Sequence, residues 1–223
     1  MSKVISFSLW GNDPKYCVGA IRNAEIAADL FPDWECWFYM AKDVPTETAG
    51  KLANMDNVVL IDMPVEMHGW KGMFARFQPA SINDVEVMIS RDCDSRLSPR
   101  EKAAVDAWME SDKGFHIMRD HPWHGSAILG GMWGVKGNTL VDMDDLMRDW
   151  DQEDRWQTDQ DFLNSVIYPR VADNCMVHAS FCRMESHARD FPVPRSGTEF
   201  VGQVFDENEL NVAEHVAALA QAL

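Results

Sequence analysis

Residues 85–109 constrain the fold more than any other part of the chain, because a strand, a turn and a helix can be assigned to them in order. Residues 85–90, VEVMIS, are mostly apolar or β-branched, which predicts a buried strand. Ser98 is a favourable N-cap residue, Pro99 suits the first helical position, and Glu101 completes a Ser-x-x-Glu capping box. These signals predict a helix that begins directly after the turn.

The turn between this strand and helix carries two carboxylates, Asp92 and Asp94. Two carboxylates at the exit of a strand can converge on one hard divalent cation, and ligands of open α/β sheets gather at the carboxyl ends of the strands. We therefore predict a metal and anion site here, with an acidic surface turn as the alternative. The same spacing occurs at 142/144 and 149/151, which we interpret as a solvated helix face, and again at 159/161.

Strands alternate with helices along the chain, which predicts one α/β domain over residues 1–223 with a mainly parallel central sheet flanked by helices. The other predicted strands are residues 4–9, 35–40, 57–63, 115–119 and 175–180. The other predicted helices are residues 14–30, a short helix after Pro45, residues 68–77 and 141–150, one capped by Thr158, and a closing helix from about residue 209. The sequence has no apolar run of 18 residues, so we expect no membrane span.

Composition narrows the class of protein. The 20 basic and 36 acidic residues give a net charge of −16, which argues against a protein that coats nucleic acid, because phosphate neutralisation needs Lys and Arg. Five cysteines without a CxxC pair are typical of a reduced cytosolic protein. The N-terminus shows no signal-peptide pattern, and we expect a cytoplasmic location.

The first predicted strand ends in Leu9, Trp10 and Gly11, and a helix follows. A glycine turn that leads into a helix N-terminus is suited to receive phosphates or a nucleotide. The GxGxxG fingerprint is absent, which disfavours a dinucleotide fold. Tyr16 and Arg22, on the predicted helix, can reach such a ligand, and for Arg22 a surface charge is an equal alternative.

Two later segments also carry candidate ligand contacts. Arg76 stands among aromatic residues, where a lone Arg usually has an anionic partner. Gly130 and Gly131 precede Trp133 in an apolar run, and such glycines mark a close backbone approach or a bulge. Trp133 is a candidate platform for a sugar or a base, and a core tryptophan beside tight turns is the alternative.

The helix that begins near Thr158 carries Asp159, Gln160 and Asp161 in its first turn, where the helix dipole alone would favour acidic residues. His178 lies on the late predicted strand, and a lone His on an apolar strand is by default a hydrogen-bonded core residue. Both segments therefore have a structural interpretation beside a functional one.

With these residues in view, the chain resembles GT-A-fold glycosyltransferases of the glycogenin-like and lipopolysaccharide-galactosyltransferase type, over about residues 4–205. The resemblance depends on the order of parts: a nucleotide loop, an Asp-x-Asp after a central strand, a glycine-rich segment, TDQDFLN and a strand His. TDQDFLN is the most specific of these, being close to the family's Asp-Gln-Asp-x-Leu-Asn. RDCDSRLSPRE and GGMWG are also similar to uncharacterised bacterial and viral glycosyltransferase-like proteins.

The resemblance implies a Mn²⁺ or Mg²⁺ ion, bound to the donor diphosphate and held by Asp92, Asp94 and His178. We expect His178 rather than His187 as the third ligand, because strand alternation points it away from its apolar neighbours and His187 lies in a polar stretch. An imidazole ligand favours Mn²⁺ over Mg²⁺. Cys93 between the two aspartates is a departure from the family pattern, and the family's Lys-Pro-Trp segment is missing.

The remaining roles that the resemblance implies fall on the sugar-facing residues Gly130, Gly131, Asp159 and Gln160. Arg76 and Arg195 are candidates to neutralise the departing diphosphate. If the enzyme retains the anomeric configuration, Gln160 or Asp159 faces the anomeric carbon. If it inverts, Asp159 or Asp161 acts as the base on the acceptor.

These inferences predict a nucleotide-sugar-dependent glycosyltransferase that moves a sugar to an acceptor hydroxyl. One alternative is a metal-dependent phosphodiesterase or nucleotidyltransferase, which also gathers Asp and His around a cation. Another is a catalytically inactive nucleotide-sugar-binding protein. The acceptor stays open among a glycan, a small molecule and a protein, and the charge gives no support to a nucleic-acid acceptor.

Overall fold

The computed structural model describes residues 1–67 and 69–223. The strands are β1 (Ser2–Leu9), β2 (Glu35–Met40), β3 (Val58–Asp62), β4 (Val85–Ser90), β5 (Phe115–Arg119), β6 (Trp133–Lys136) and β7 (Cys175–Ala179). The α-helices are α1 (Pro14–Leu30), α2 (Thr46–Ala53), α3 (Pro99–Met109), α4 (Met143–Asp149), α5 (Thr158–Phe162), α6 (Tyr168–Val171) and α7 (Ala213–Ala222). A 3₁₀ helix spans Gly69–Ser81, a π-helical turn (Leu163–Ile167) joins α5 to α6, and a short 3₁₀ helix (Ala172–Asn174) precedes β7.

The seven strands form one sheet in the order β3-β2-β1-β4-β6-β5-β7. In the described part of the chain, β6 is antiparallel to its neighbours, β4 and β5, and the other strand pairs are parallel. The prediction of an α/β fold with a mainly parallel sheet is confirmed. Because β6 is reversed, Trp133 at its start pairs with Ser90 at the end of β4, so the segment before β6 arrives beside the Asp92 turn.

Apolar clusters cover both faces of the sheet. On one face, α1 and α3 bury alanines and Trp108 against strand residues that include Phe7, whose ring stacks on Phe38 at 4.7 Å. On the other face, Phe74 of the 3₁₀ helix and Phe162 of α5 pack with their ring centroids 5.5 Å apart. Full burial of such a side chain contributes roughly 1.5–3 kcal/mol to the stability of the fold. Both layers therefore stabilise the sheet.

The helix starts follow the sequence signals, with two corrections. Asp13 caps α1 through a hydrogen bond from the Lys15 backbone N–H (2.9 Å), and Ser98 caps α3 by accepting from the Glu101 backbone N–H (3.2 Å). The Glu101 side chain does not complete the capping box, because its buried carboxylate pairs with Arg91.

The second correction concerns Thr158, which is the first residue of α5 and not its cap. Its hydroxyl has no hydrogen-bond partner among the described residues, and Gln157 before it occupies the cap position with φ of +65°. The closing helix begins at Ala213, later than predicted, and the predicted start of the helix at His68 lies outside the described residues. No helix in the described part of the chain is long and apolar enough to cross a membrane.

Candidate active site

A cleft of about 540 Å³ opens at the edge of the sheet where β1 and β4 end. Ten predicted site residues line it: Leu9, Trp10, Gly11, Tyr16, Arg76, Asp92, Asp94, Gly130, Asp159 and Gln160. They come from the β1–α1 loop, the 3₁₀ helix, the turn after β4, the segment before β6 and the start of α5. The fold thus brings together segments that are more than 140 residues apart in sequence.

Arg76 joins two of these segments. Its Nη1 donates to Asp92 Oδ1 and its Nη2 to Asp159 Oδ2, both at 2.7 Å. Burial alone would lower the pKa of Arg76, but the two carboxylates outweigh it and raise the pKa. The guanidinium therefore stays charged and fixes the turn after β4 against the start of α5, since a planar fork can serve two carboxylates at once.

The Asp159 carboxylate is almost fully buried at the base of the cleft, with 3% of its side chain exposed. Burial raises the pKa of Asp159, Arg76 opposes the rise, and the charge of Asp92 adds to it. A buried carboxylate is tolerated when a cation is paired with it. The charged form of the Asp159 carboxylate therefore depends on its ion pair with Arg76, and the same pair fixes the orientation of the carboxylate.

Lys15 makes the corresponding contact on the other aspartate of the turn. Its Nζ lies 2.8 Å from Asp94 Oδ2 and 4.7 Å from the centre of the Tyr16 ring. Burial and the neighbouring charge of Asp92 raise the pKa of Asp94, against the opposing effect of Lys15. The site thus holds three carboxylates close to two protein cations.

The turn itself is held rigidly against α1. Asn23 donates to the Ser95 carbonyl (2.7 Å) and accepts from the Leu97 backbone N–H (3.0 Å). A Cβ on Gly19 would lie 1.9 Å from the Cys93 carbonyl oxygen, so only glycine permits this approach. Cys93 is buried, burial raises the pKa of its thiol, and its Sγ contacts the Ser8 carbonyl. Cys93 is also part of the cleft lining, but its thiol is used to pack the turn.

The glycine pair before β6 closes the site from the other side. A Cβ on Gly130 would lie 2.5 Å from both Arg76 Nη2 and Asp159 Oδ2, and a Cβ on Gly131 would lie 2.1 Å from Asp92 Oδ2. Ser90 Oγ donates to the Gly130 carbonyl at 2.8 Å, which fixes this segment to the end of β4. These glycines mark a close backbone approach, one of the two interpretations of the sequence pattern.

Two predicted site residues lie in the core instead. Trp133 is fully buried in β6 and stacks on Phe115 with the ring centroids 5.3 Å apart. His178 does not lie with the two aspartates: its Nδ1 is 2.8 Å from Nε2 of His116. β7 is three strands from β4 in the sheet, roughly 14 Å away at the usual strand spacing. Burial and the charge of nearby arginines lower the pKa of His178 to about 4.

Four other predicted residues lie outside the cleft lining or have other partners. Arg22 pairs with Glu25 and Glu209 on the surface. Arg195 binds Asp120 (2.6 Å). Asp161 faces solvent and pairs with Arg155 (2.5 Å), and Gly131 contributes only its close approach to Asp92. Each of the three charged side chains has a local opposite charge that sequence spacing alone did not reveal.

The structure also adds residues to the cleft that we did not predict, among them Trp70, His124, Trp156 and Gln157. The signal for Trp156 and Gln157 was present, because they directly precede TDQD. Burial lowers the pKa of His124 to about 3, and its Nδ1 accepts from the Asp120 backbone N–H (3.1 Å), so it is a neutral wall of the cleft.

The donor set of the turn fits a hard divalent cation. The ion pairs use Oδ1 of Asp92 and Oδ2 of Asp94, so within the described residues the other oxygen of each is left without a side-chain cation. No group of three or more His, Cys, Asp or Glu side chains in the described chain is arranged to hold a metal. Such a cation would therefore need oxygens from a ligand, as is usual when Mg²⁺ is bound by one or two carboxylates and substrate phosphates.

No protein-family model and no curated protein sequence matches the chain. Solved structures do match. A glycosyltransferase involved in the glycosylation of the major capsid of PBCV-1 superposes with a TM-score of 0.55 at 14% identity, over 80% of this chain and 82% of that one. This is a GT-A-like glycosyltransferase fold. The WbbM bifunctional glycosyltransferase (TM-score 0.50, 16% identity, 78% of this chain and 38% of that one) and residues 1–349 of S. aureus TarS (0.50, 12%, 81% and 58%) share it.

The GT-A-like fold agrees with the resemblance seen in the sequence. At these identities the likeness concerns the fold alone. What the cleft does must therefore be argued from its own residues.

Proposed function

We propose that the protein is a glycosyltransferase that moves a sugar from a nucleotide-diphosphate donor to an acceptor hydroxyl, with Mn²⁺ or Mg²⁺ at Asp92 and Asp94. The observation that carries the proposal is the Arg76 bridge, which joins the Asp92 turn to Asp159 inside the cleft of a GT-A-like fold. A buried cation shared by two carboxylates next to an open cleft is suited to a ligand that brings both phosphate and metal charge.

The nucleotide side of the donor is assigned to the loop after β1. Leu9, Trp10 and Gly11 line the cleft there, and Tyr16 follows on α1. Gly11 has φ of +72° and its backbone N–H donates to Asp43 (2.9 Å), so the loop is held open at the N-terminus of α1. The N-terminus of a helix favours phosphate nearby.

The phosphates are assigned to the region between Lys15 and Arg76. When bound, the divalent ion supplies charge stabilisation to the departing diphosphate. Lys15 is suited to contact a phosphate oxygen, since its ammonium is partly exposed beside Asp94. Arg76 positions Asp92 and opposes the rise that burial causes in the pKa of Asp159, so it acts chiefly as a positioning residue.

The sugar is assigned to the space between Gly130 and the start of α5. Gln160 lines the cleft, and its backbone carbonyl accepts from Asn164 (2.6 Å), which fixes the helix turn while the amide side chain can face the sugar. Asp161 points away from this space and pairs with Arg155. Of the two predicted carboxylates, Asp159 alone can therefore contact the reacting sugar.

Titration calorimetry with UDP-, GDP-, ADP- and TDP-sugars tests the proposal. We expect one of them to bind in Mn²⁺ and to bind much more weakly in EDTA, followed by slow release of free sugar from the bound donor. Asp142→Asn, in the exposed second Asp-x-Asp pair, is the matched control for Asp92→Asn and should bind as the wild type does.

Two results would contradict the proposal. Release of a nucleoside monophosphate in place of free sugar would favour the phosphodiesterase or nucleotidyltransferase alternative. Failure of every nucleotide-sugar to bind, in Mn²⁺ and in EDTA alike, would remove the donor assignment altogether.

A further inference from the structure

Two tryptophans at the mouth of the cleft remain without a role in donor binding. Trp70 and Trp156 both line the cleft, yet they are 41% and 65% exposed. Exposed indole surface gathered beside a cavity is typical of a ligand-binding face. Trp123 offers a comparison, because it is 53% exposed but does not line the cleft and rests against the ring of His215.

The two tryptophan segments are joined by one carboxylate. Asp154 accepts a hydrogen bond from the backbone N–H of Trp70 (2.8 Å), and it lies two residues before Trp156. Gly69 has φ of +63°, and a Cβ there would lie 2.7 Å from Asp154 Oδ1. A glycine is therefore needed at this contact, which fixes the spacing of the two segments.

The chain around Trp156 is also braced. Arg155 pairs with Glu153 and Asp161. Gln157 has φ of +65°, a conformation that costs a non-glycine residue about 1 kcal/mol or more, and its carbonyl accepts from the Asp161 backbone N–H (3.0 Å). Backbone strain retained next to a cleft is typical of a functional site. Trp156 is thus held directly before the helix turn that carries Asp159 and Gln160.

The charges around this mouth limit what can bind there. The described lining of the cleft includes the carboxylates of Asp13, Asp92, Asp94 and Asp159. Its cation, Arg76, is paired with two of them. Arg155 is also committed to carboxylates. A nucleic acid could stack on indoles, but the described lining of the cleft presents four carboxylates and a single, already paired cation, which disfavours its phosphates. A neutral ligand with an apolar face and many hydroxyls fits better, because indole takes the face and the carboxylates and amides accept or donate to the hydroxyls.

We propose that Trp70 and Trp156 form the acceptor subsite and that the acceptor is a neutral saccharide, whose pyranose ring lies against an indole face. This inference depends on the proposed glycosyltransferase function and names its acceptor class. The position of Trp156 three residues before Asp159 places the acceptor next to the region assigned to the donor sugar.

A glycan array probed with the full chain, followed by calorimetry, tests the subsite. The probes are neutral oligosaccharides (lactose, maltotriose, cellotriose and chitotriose), with sialyllactose and a single-stranded DNA oligonucleotide as charged competitors. We expect binding to a neutral saccharide, weakened at least about tenfold by Trp70→Ala and by Trp156→Ala, as for a buried aromatic anchor. Trp156→Phe should restore most of the affinity, and Trp123→Ala should bind as the wild type does.

The subsite would be overturned if no neutral saccharide bound, if sialyllactose or DNA bound more tightly, or if both alanine variants kept wild-type affinity with their melting temperatures unchanged. A nucleotide-sugar titration on the same sample separates the two proposals. Donor binding and turnover without any saccharide bound would overturn the subsite alone. Saccharide binding without any donor bound would overturn the proposed function, and the acceptor role with it.

Discussion

Two ionic clusters follow β4 and β5, the strands that flank β6, and they differ in how fully their carboxylates are satisfied. Asp120 is fully buried, and its two oxygens accept hydrogen bonds between 2.6 and 3.0 Å from the side chains of Arg100, Arg195 and Ser180 and the backbone N–H of Val201. Asp92 accepts from Arg76 through one oxygen and its side chain is 44% exposed.

The difference separates a structural cluster from the proposed binding site. Both carboxylate oxygens of Asp120 already accept hydrogen bonds from protein donors. Asp120 therefore ties the C-terminal segment to the sheet and has no capacity for a ligand. Asp92 and Asp94 keep oxygens directed to a cleft, and their mutual repulsion is only partly offset by Lys15 and Arg76. A ligand that brings positive charge would therefore be bound at the second cluster and not at the first.

The largest expected effect is the loss of stability when the cluster around Asp120 is disrupted. Asp120→Asn should lower the free energy of unfolding by about 3–5 kcal/mol, because it leaves Arg100 and Arg195 without a counter-charge in a buried position. Urea denaturation measures the change. Asp190→Asn, which removes an exposed carboxylate paired with Arg183, is the control and should change stability by less than about 0.5 kcal/mol. A loss below about 1 kcal/mol for Asp120→Asn would show that the cluster is not structural.

At the cluster around Asp92, the expected loss is in activity and not in stability. Asp92→Asn should lower turnover of the nucleotide-sugar at least about a hundredfold, equivalent to roughly 2.7 kcal/mol of barrier, while the melting temperature stays near that of the wild type. Arg76 keeps Asp159 as its partner in this variant, so the fold retains its buried ion pair. Initial rates and a thermal scan on one preparation check both parts, and a collapse in melting temperature would place Asp92 with Asp120 as a structural residue.

Acid should lower the stability of the protein through the buried His116–His178 pair. Burial lowers the pKa of His178 to about 4 and that of His116 well below its ordinary value, whereas an unfolded histidine has a pKa near 6.5. The unfolded chain therefore binds more protons below pH 6.5, so the stabilisation is complete above this pH and is lost as the pH falls toward 4.

We expect His178 alone to lower the free energy of unfolding by about 2 kcal/mol between pH 7 and pH 5, and the lowered pKa values of His116 and His124 add to this fall. His178→Gln should flatten this dependence even if the variant starts less stable. The slope of stability against pH is the measured quantity, and an unchanged slope in the variant would exclude the pair as its source.

The smallest effect should follow from a side chain added at Gly130, where the backbone lies close to Arg76. Gly130→Ala should cost about 1–2 kcal/mol of stability and reduce turnover, because its Cβ would lie 2.5 Å from Arg76 Nη2 and Asp159 Oδ2. Gly50→Ala in α2 is the control, since no atom lies within 4 Å of its added Cβ and alanine should stabilise a helix by about 0.5–1 kcal/mol. Equal effects of the two substitutions would mean that the Gly130 approach is not tight.

Much of the fold could be predicted from signals that lie within short stretches of the sequence. The bounds of α1 and α3 agree with the prediction because caps, prolines and apolar spacing lie within a few residues of one another. The Asp92 turn could also be located, since a strand end and a helix start fix it on both sides. TDQD was recognisable by its letters, and the structure places Asp159 and Gln160 in the cleft.

What could not be predicted depends on strand order and on distant partners. Alternation along β7 gives the face of His178, but only the sheet order shows that β7 is remote from β4. The partners of Arg76 lie 16 and 83 residues away, and Asp120, which binds Arg195, is 75 residues from it. No local pattern distinguishes an arginine that meets a ligand from one that meets a carboxylate of the same chain.

The reversed strand β6 has a consequence for how the cleft can be changed. Its entry segment, residues 120–132, contributes His124, Leu129, Gly130 and Met132 to the cleft lining, so insertions there could remodel one wall while the scaffold of β1, α1 and β4 stays intact. Loops carried on a rigid sheet tolerate changes in length better than the sheet does. The ligand preference of the cleft could therefore be altered by exchange of one segment, provided that Asp120, Gly130 and Gly131 are kept.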